Sequence, residues 1–177
     1  GRVGFVPTMG ALHNGHLELV RLAKKEADIV VVSVYVNPTQ FNNPDDLKNY
    51  PRDEDGDRSK LMDAGCDVLW FPQEGDMYPN GVQSETFNLG TLEDVMEGSF
   101  RPGHYQGVAT IVDRLFSAVK PDLAIFGEKD FQQVAVIRKM ADLKSHDIHI
   151  ITAPTIRESD GLAMSSRNLL LTSEFRK

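Results

Sequence analysis

Two imidazoles three residues apart, in the stretch Thr8-Met9-Gly10-Ala11-Leu12-His13-Asn14-Gly15-His16, are the side chains of this sequence best placed to do chemistry. The stretch joins a strand-like run to a helix-like one. A helix start presents unpaired N–H groups with partial positive charge, and glycines let the backbone come close to a guest, so a phosphate is the natural ligand. His13 and His16 would face the same place and can donate hydrogen bonds to phosphate oxygens. The spacing from Gly10 to Gly15 coincides with that of a P-loop, but His16-Leu17 follows where a P-loop carries Lys and then Ser or Thr. Without that lysine and the magnesium-binding hydroxyl, γ-phosphoryl transfer is disfavoured. Attack at an α-phosphate with loss of pyrophosphate stays open. The Gly-x-Gly-x-x-Gly dinucleotide pattern does not occur. A His-x-x-His pair is also half of a metal site, but no third ligand is nearby in sequence, so no protein-built metal site is expected.

A second polar cluster is Gly161-Leu162-Ala163-Met164-Ser165-Ser166-Arg167-Asn168. Ser165 and Ser166 offer hydroxyl and backbone donors, and Arg167 a guanidinium suited to phosphate oxygens. Taken alone, this cluster is equally a polar turn capping a helix. Lys129 stands just beyond a strand ending Ile125-Phe126-Gly127, a better position than that of a random lysine. Arg101 is a lesser candidate for anion contact. Asp45-Asp46 and Asp53-Glu54-Asp55 read as solvated acidic faces rather than metal ligands.

The elements that must position these groups alternate along the chain. Runs rich in branched apolar residues at 2–7, 28–36, 66–72, 122–127 and 148–152 are strand candidates. Between the first two, Leu17, Val20 and their neighbours three to four apart give a helical face starting near Gly15. Val108, Ile111, Val112, Leu115, Phe116 and Val119 do the same over 105–119, as do Val134, Ile137, Met140 and Ala141 over 131–143. This alternation predicts an α/β, Rossmann-like, doubly wound sheet, mainly parallel, with helices on both faces. Residues 37–51 hold Asn37-Pro38, Asn43-Pro44 and Tyr50-Pro51, too many turn signals for a periodic element. A long loop is expected there, directly after a strand, where open parallel sheets place their ligands.

At 177 residues the chain has the length of one main domain with a sizeable core. Its 41% hydrophobic and 25% charged residues fall in the ordinary globular range. A net charge of −7 repels a polyanion over the surface as a whole, so a small pocket of reversed sign is expected and no nucleic-acid groove. No apolar run approaches the roughly 18 to 20 residues that cross a bilayer, and no secretory leader pattern opens the chain, so no membrane partner and a cytoplasmic location are expected. The single Cys66 cannot close an internal disulfide and reads as a small buried hydrophobe. A strand pattern begins almost at residue 1, and Thr172-Ser173-Glu174-Phe175-Arg176-Lys177 reads as a cap followed by a helix cut short. A piece lacking sequence at both ends is the expectation.

Paired with His-x-Gly-His, Met164-Ser165-Ser166-Arg167 resembles the signature set of the adenylylating superfamily of class I aminoacyl-tRNA synthetases and small nucleotidyltransferases. Three more stretches narrow the resemblance: Asn37-Pro38-Thr39-Gln40-Phe41, Arg101-Pro102-Gly103-His104 and Gly127-Glu128-Lys129-Asp130-Phe131-Gln132-Gln133. With them the chain resembles the pantothenate synthetase family over essentially its whole length. The resemblance implies an ATP-dependent ligase joining pantoate to β-alanine through a pantoyl-adenylate, with magnesium arriving on ATP. It implies ATP contacts from Met9, Gly10, Ala11, Leu12, His13, Asn14, Gly15 and His16, from Gly127, Glu128, Lys129 and Asp130, and from the Ile156 backbone. Met164, Ser165, Ser166 and Arg167 would close over the phosphates. Gln40 and Gln133 would hold pantoate, Gln40 also lying near β-alanine, and His16 is the family's proton-donor position. An amide suits that task because it both donates and accepts, although a single glutamine is ordinarily just exposed surface. Lys129 and Arg167 would add charge beside the two histidines. The resemblance also implies a homodimer. Its domain division is an ATP- and pantoate-binding unit over 1–153, followed over 154–177 by the phosphate-closing loop and the start of a lid domain. Turnover without that lid should be slow. Two other readings stay open: a nucleotidyltransferase of the same superfamily, and a non-catalytic nucleotide-binding module.

Overall fold

The computed structural model describes residues 1–172 and 174–176. Five strands, β1 (Val3–Thr8), β2 (Ile29–Val34), β3 (Val68–Trp70), β4 (Leu123–Gly127) and β5 (His149–Ala153), form one sheet in the order β3-β2-β1-β4-β5. Every pairing is parallel. Helix α1 (Asn14–Glu26) links β1 to β2. Between β2 and β3 come the short α2 (Pro44–Asn49) and then α3 (Glu54–Asp63). The passage to β4 carries α4 (Glu74–Met77), α5 (Met96–Phe100) and the long α6 (His104–Val119), and α7 (Phe131–Lys144) joins β4 to β5. No helix among the described residues is long and apolar enough to cross a membrane.

The sheet is wound on both faces because its central strands are apolar on both. On β1, Phe5 packs with Tyr105, Val108, Phe116, Ile137 and Met140 from α6 and α7. Its neighbour Val6 packs with Leu17, Val20 and Ala23 of α1 and Leu61 of α3. Strand β4 repeats the alternation, Ala124 and Phe126 to one side, Leu123 and Ile125 to the other. Strands covered on both faces read as continuous apolar runs, which is how they stood out in the sequence. From β1 the chain winds outward through β2 to β3 on one side, then crosses back to β4 and β5 on the other. The crevice beyond the carboxyl ends of β1 and β4 is therefore the switch point where such sheets bind ligands.

Several local readings change. The run at 66–72 pairs only over Val68–Trp70, at the sheet edge. Cys66 is half-buried, with its thiol against the Val68 carbonyl at 3.2 Å. The expected loop at 37–51 holds a 3-10 turn at Pro38–Gln40 and helix α2, because Pro38 and Pro44 fall at first-turn positions where no N–H is needed. Asn43 caps α2 by accepting the Asp45 N–H at 2.8 Å. The acidic run at 53–55 opens α3: Asp53 accepts the Gly56 N–H at 3.1 Å, and acids in the first turn suit the helix dipole. Beyond β5 the chain makes an antiparallel bridge between Arg157 and Ala163 and a 3-10 turn at Ser166–Leu170. Of the expected terminal cap and helix, Ser173 and Lys177 lie outside the described residues, and 174–176 form a turn on the Thr172 carbonyl.

Candidate active site

A cleft of about 400 Å³ opens at the switch point. Its walls come from the β1–α1 turn (Met9, His13, Gly15, His16), the loop after β2 (Gln40, Phe41, Tyr50), the β4–α7 junction (Lys129, Asp130, Gln133) and the segment after β5 (Ile156, Met164, Ser165, Ser166, Arg167). Its deep end is apolar, lined by Val108, Ile111, Val112 and Leu115 of α6 and by Phe126.

The β1–α1 turn owes its shape to its own residue types and to α3. Gly10 has φ +82°, and a Cβ there would lie 2.9 Å from Asp57 Oδ2. Asp57, buried on α3, accepts the N–H of Ala11 at 2.8 Å and of Leu12 at 2.6 Å. Lys60 donates to the Leu12 carbonyl at 2.9 Å. From this turn α1 begins, with His13 as N-cap. The His13 N–H donates to His16 Nδ1 at 3.3 Å, so the ring proton of neutral His16 sits on Nε2. The two imidazoles stack with centroids 4.0 Å apart. Gly15 makes room for this, since a Cβ there would meet His13 Nδ1 and Cε1 at 2.9 Å.

The segment after β5 folds back on the same turn. Ser166 is buried and its hydroxyl donates to the Ala11 carbonyl at 3.1 Å. Arg167 forms a bidentate pair with Asp46 of α2 (3.2 and 2.8 Å), and its guanidinium lies 5.9 Å from the Phe41 ring and 5.1 Å from that of Tyr50. Met164 donates its N–H to the Ile156 carbonyl at 3.0 Å.

Gln40 is held from both ends. Its carbonyl accepts from His104 Nδ1 at 2.7 Å, and Arg101 donates to His104 Nε2 at 3.1 Å, which fixes that ring as neutral with its proton on Nδ1. Its side-chain Oε1 accepts from buried Asn37 at 3.1 Å, and its Nε2 reaches Met9 Sδ at 3.3 Å. Asn37 is fixed in turn by the Gly107 carbonyl at 3.2 Å and by the Tyr78 hydroxyl.

The electrostatics follow from burial under positive charge. Burial, then His13, Lys129 and Lys60, pull the His16 pKa down to about 3. Burial and Lys129 lower His13 as well. The hydrogen bond from Arg167 holds the Asp46 carboxyl below its usual range. The cleft thus presents neutral imidazoles beside Lys129 and Arg167, whose charges are met by Asp130 at 3.1 Å and Asp46 at 2.8 Å.

A sequence profile of the family described as Pantoate-beta-alanine ligase matches residues 1–177. The chain belongs to the pantoate–β-alanine ligase family. It is similar to the pantothenate synthetase of Vibrio parahaemolyticus, 57% identical over 177 residues, covering 99% of this chain and 59% of that protein. Its fold superposes on the crystal structure of pantothenate synthetase from Thermus thermophilus with a TM-score of 0.95 at 50% identity, covering 99% of this chain and 64% of that one. A pantoate-β-alanine ligase from Francisella tularensis, complexed with "Beta-gamma ATP and Beta-alanine", superposes with a TM-score of 0.94 at 45% identity, covering 97% and 66%. The chain therefore spans about three fifths of the length of such ligases.

Of the ligase-like positions singled out in the sequence, Met9, His13, Gly15, His16, Gln40, Gly127, Lys129, Asp130, Gln133, Ile156, Met164, Ser165, Ser166 and Arg167 share the one cleft. Gly10, Ala11, Leu12, Asn14 and Glu128 do not line it. Ala11 and Leu12 are buried behind its wall with their amides given to Asp57, unlike a P-loop, whose amides face the phosphates. The free first-turn amides are those of Asn14 and Gly15, with no partner among the described residues. Asp46, read as a solvated acid, is the counter-ion of Arg167. Sequence reasoning missed Asp57, Asn37 and His104. His104 lay in a quoted motif, and Asn37 beside a proline in another. Asp57 lay hidden in an acidic stretch.

Proposed function

We propose that this chain carries the ATP- and pantoate-binding site of an ATP-dependent ligase that activates pantoate as an acyl-adenylate and joins it to β-alanine, forming pantothenate. The observation that carries the reading is the convergence of His13, His16, Lys129 and Arg167 with Gln40 and Gln133 above an apolar floor, in one cleft. Pantoate bears a carboxylate, two hydroxyls and a carbon with two methyl groups. Val108, Ile111, Val112 and Phe126 suit the methyls, while Gln40 and Gln133 suit the oxygens. The Francisella tularensis relative, complexed with "Beta-gamma ATP and Beta-alanine", supports both co-substrates.

A carboxylate does not acylate an amine at neutral pH, because its leaving group would be oxide. In the first step the pantoate carboxylate oxygen attacks the α-phosphorus, the bond to the bridging oxygen breaks, and pyrophosphate departs. His16 Nε2–H, His13, the free amides at the start of α1, Lys129 and Arg167 meet the charge that builds on the phosphate oxygens. In the second step the β-alanine amine attacks the acyl carbon, AMP leaves with the bonding pair, and the amine loses a proton. Holding acid and amine in contact converts a bimolecular step into an effectively unimolecular one. No covalent bond to the protein is required. The carboxylates lining the cleft are Glu97, paired with Arg101, and Asp130 beside Lys129. An Mg²⁺ carried on ATP would find Asp130 as its protein oxygen, take phosphate and water for the rest, and neutralise triphosphate charge.

Residues 1–153 are then the binding domain, and 154–177 the phosphate-closing loop leading toward a lid. A cytoplasmic homodimer is the form we assign, on the family resemblance. Product analysis tests the reading: pantoate, β-alanine and ATP should yield an amide with AMP and pyrophosphate in equal amounts. ADP as product, or nucleotide transfer to an acceptor that keeps the nucleotide, would sink it.

A further inference from the structure

We infer that Asp57 is a positioning residue for the His13–His16 pair, acting through the backbone of the turn that precedes α1. The inference rests on the ligase reading of the cleft.

Asp57 touches no part of the cleft, is 1% exposed, and lies 45 to 46 residues from the amides it holds. A buried carboxylate is costly unless its oxygens are filled, and here the two oxygens each take one successive N–H, from Ala11 and Leu12. The residue after this pair is His13. Its N–H in turn sets the tautomer and tilt of His16. The turn is held on two further sides, by Lys60 on the Leu12 carbonyl and by Ser166 on the Ala11 carbonyl, and the missing Cβ of Gly10 leaves room for Asp57 to approach. Ala11 has φ +49°, a conformation that L residues adopt only under constraint, and the paired hydrogen bonds to Asp57 supply one. The same α3 helix that packs Leu61 into the core thus aims the two imidazoles at the phosphates.

The test is Asp57→Asn in the 177-residue chain, which keeps the shape but sets an NH2 group against one of the two amides. We expect pantoate-dependent pyrophosphate exchange to lose about 10- to 100-fold in kcat/KM for ATP, as a displaced catalytic group would. The KM for pantoate should stay within about twofold, since Gln40 and Gln133 are held elsewhere. The ¹⁵N–¹H spectrum of the histidine rings should lose the single Nε2–H tautomer of His16, a change that general destabilisation would not produce. An unchanged tautomer with unchanged kcat/KM would overturn the inference. If the variant fails to fold, Lys60→Met, which removes the other α3 contact to the turn from a side chain outside the cleft, takes its place: the same direction of change supports the inference and no change overturns it. Absence of exchange in the unsubstituted chain would sink the ligase reading alone, and the ring spectra would still decide the role of Asp57.

Discussion

His16 is neutral at pH 7 because its ring is buried against His13, with Lys129 and Lys60 near, and its pKa is pulled to about 3. Its Nδ1 is filled by the His13 N–H, so what its ring has left to offer is a hydrogen-bond donor, Nε2–H. The same depression has a consequence for stability. In the unfolded chain a histidine binds a proton near pH 6.5, while folded His16 stays neutral down to about 3. The unfolded state therefore binds more protons between those values, so the stability is fully present above about 6.5 and is lost as pH falls toward 3. His13 and His104 are lowered too and add to the loss. Denaturant unfolding across this range should show a falling midpoint that His16→Gln flattens. A midpoint independent of pH between about 6.5 and about 4.5 would contradict the assigned burial.

Helix α1 separates its own stability from what its first turn binds. Gly15 lies within that turn, where alanine is a better helix former by about 1 kcal/mol. A Cβ there would press on the His13 ring at 2.9 Å. Gly15→Ala should hold or raise the melting temperature while ATP affinity falls at least about tenfold, as a site displaced by a fraction of an ångström would. Unchanged ATP binding in a calorimetric titration would show that the placement of His13 is not what the glycine protects. The glycine, the histidines and the helix start were all legible in sequence, because strand, turn and helix there are consecutive. Helix α3 was not. Its start hid inside an acidic run, and its apolar stripe is short, with Leu61 the one apolar residue fully buried. The role of Asp57 depends on a partner 46 residues away, which no local pattern encodes.

On the scale of the whole molecule, the doubly wound sheet was readable from alternation of apolar runs and helical faces, whereas the segment after β2, read as a loop, holds a 3-10 turn and helix α2. What sequence could not supply was the closure of distant segments on one point: Arg167 reaching Asp46 121 residues back, and Ser166 bonding the Ala11 carbonyl. That closure brings the segment after β5 onto the same cleft that Gln40 and Gln133 line, at the sheet's switch point. Adenylate chemistry in this cleft is the proposal on which the rest depends. Its most direct measurement is the exchange of labelled pyrophosphate into ATP with pantoate present and β-alanine absent. Exchange should require pantoate and fall by about 10²- to 10³-fold in His16→Ala, as loss of one transition-state donor does. No exchange by the unsubstituted protein at saturating pantoate, or exchange that does not need pantoate, would contradict it.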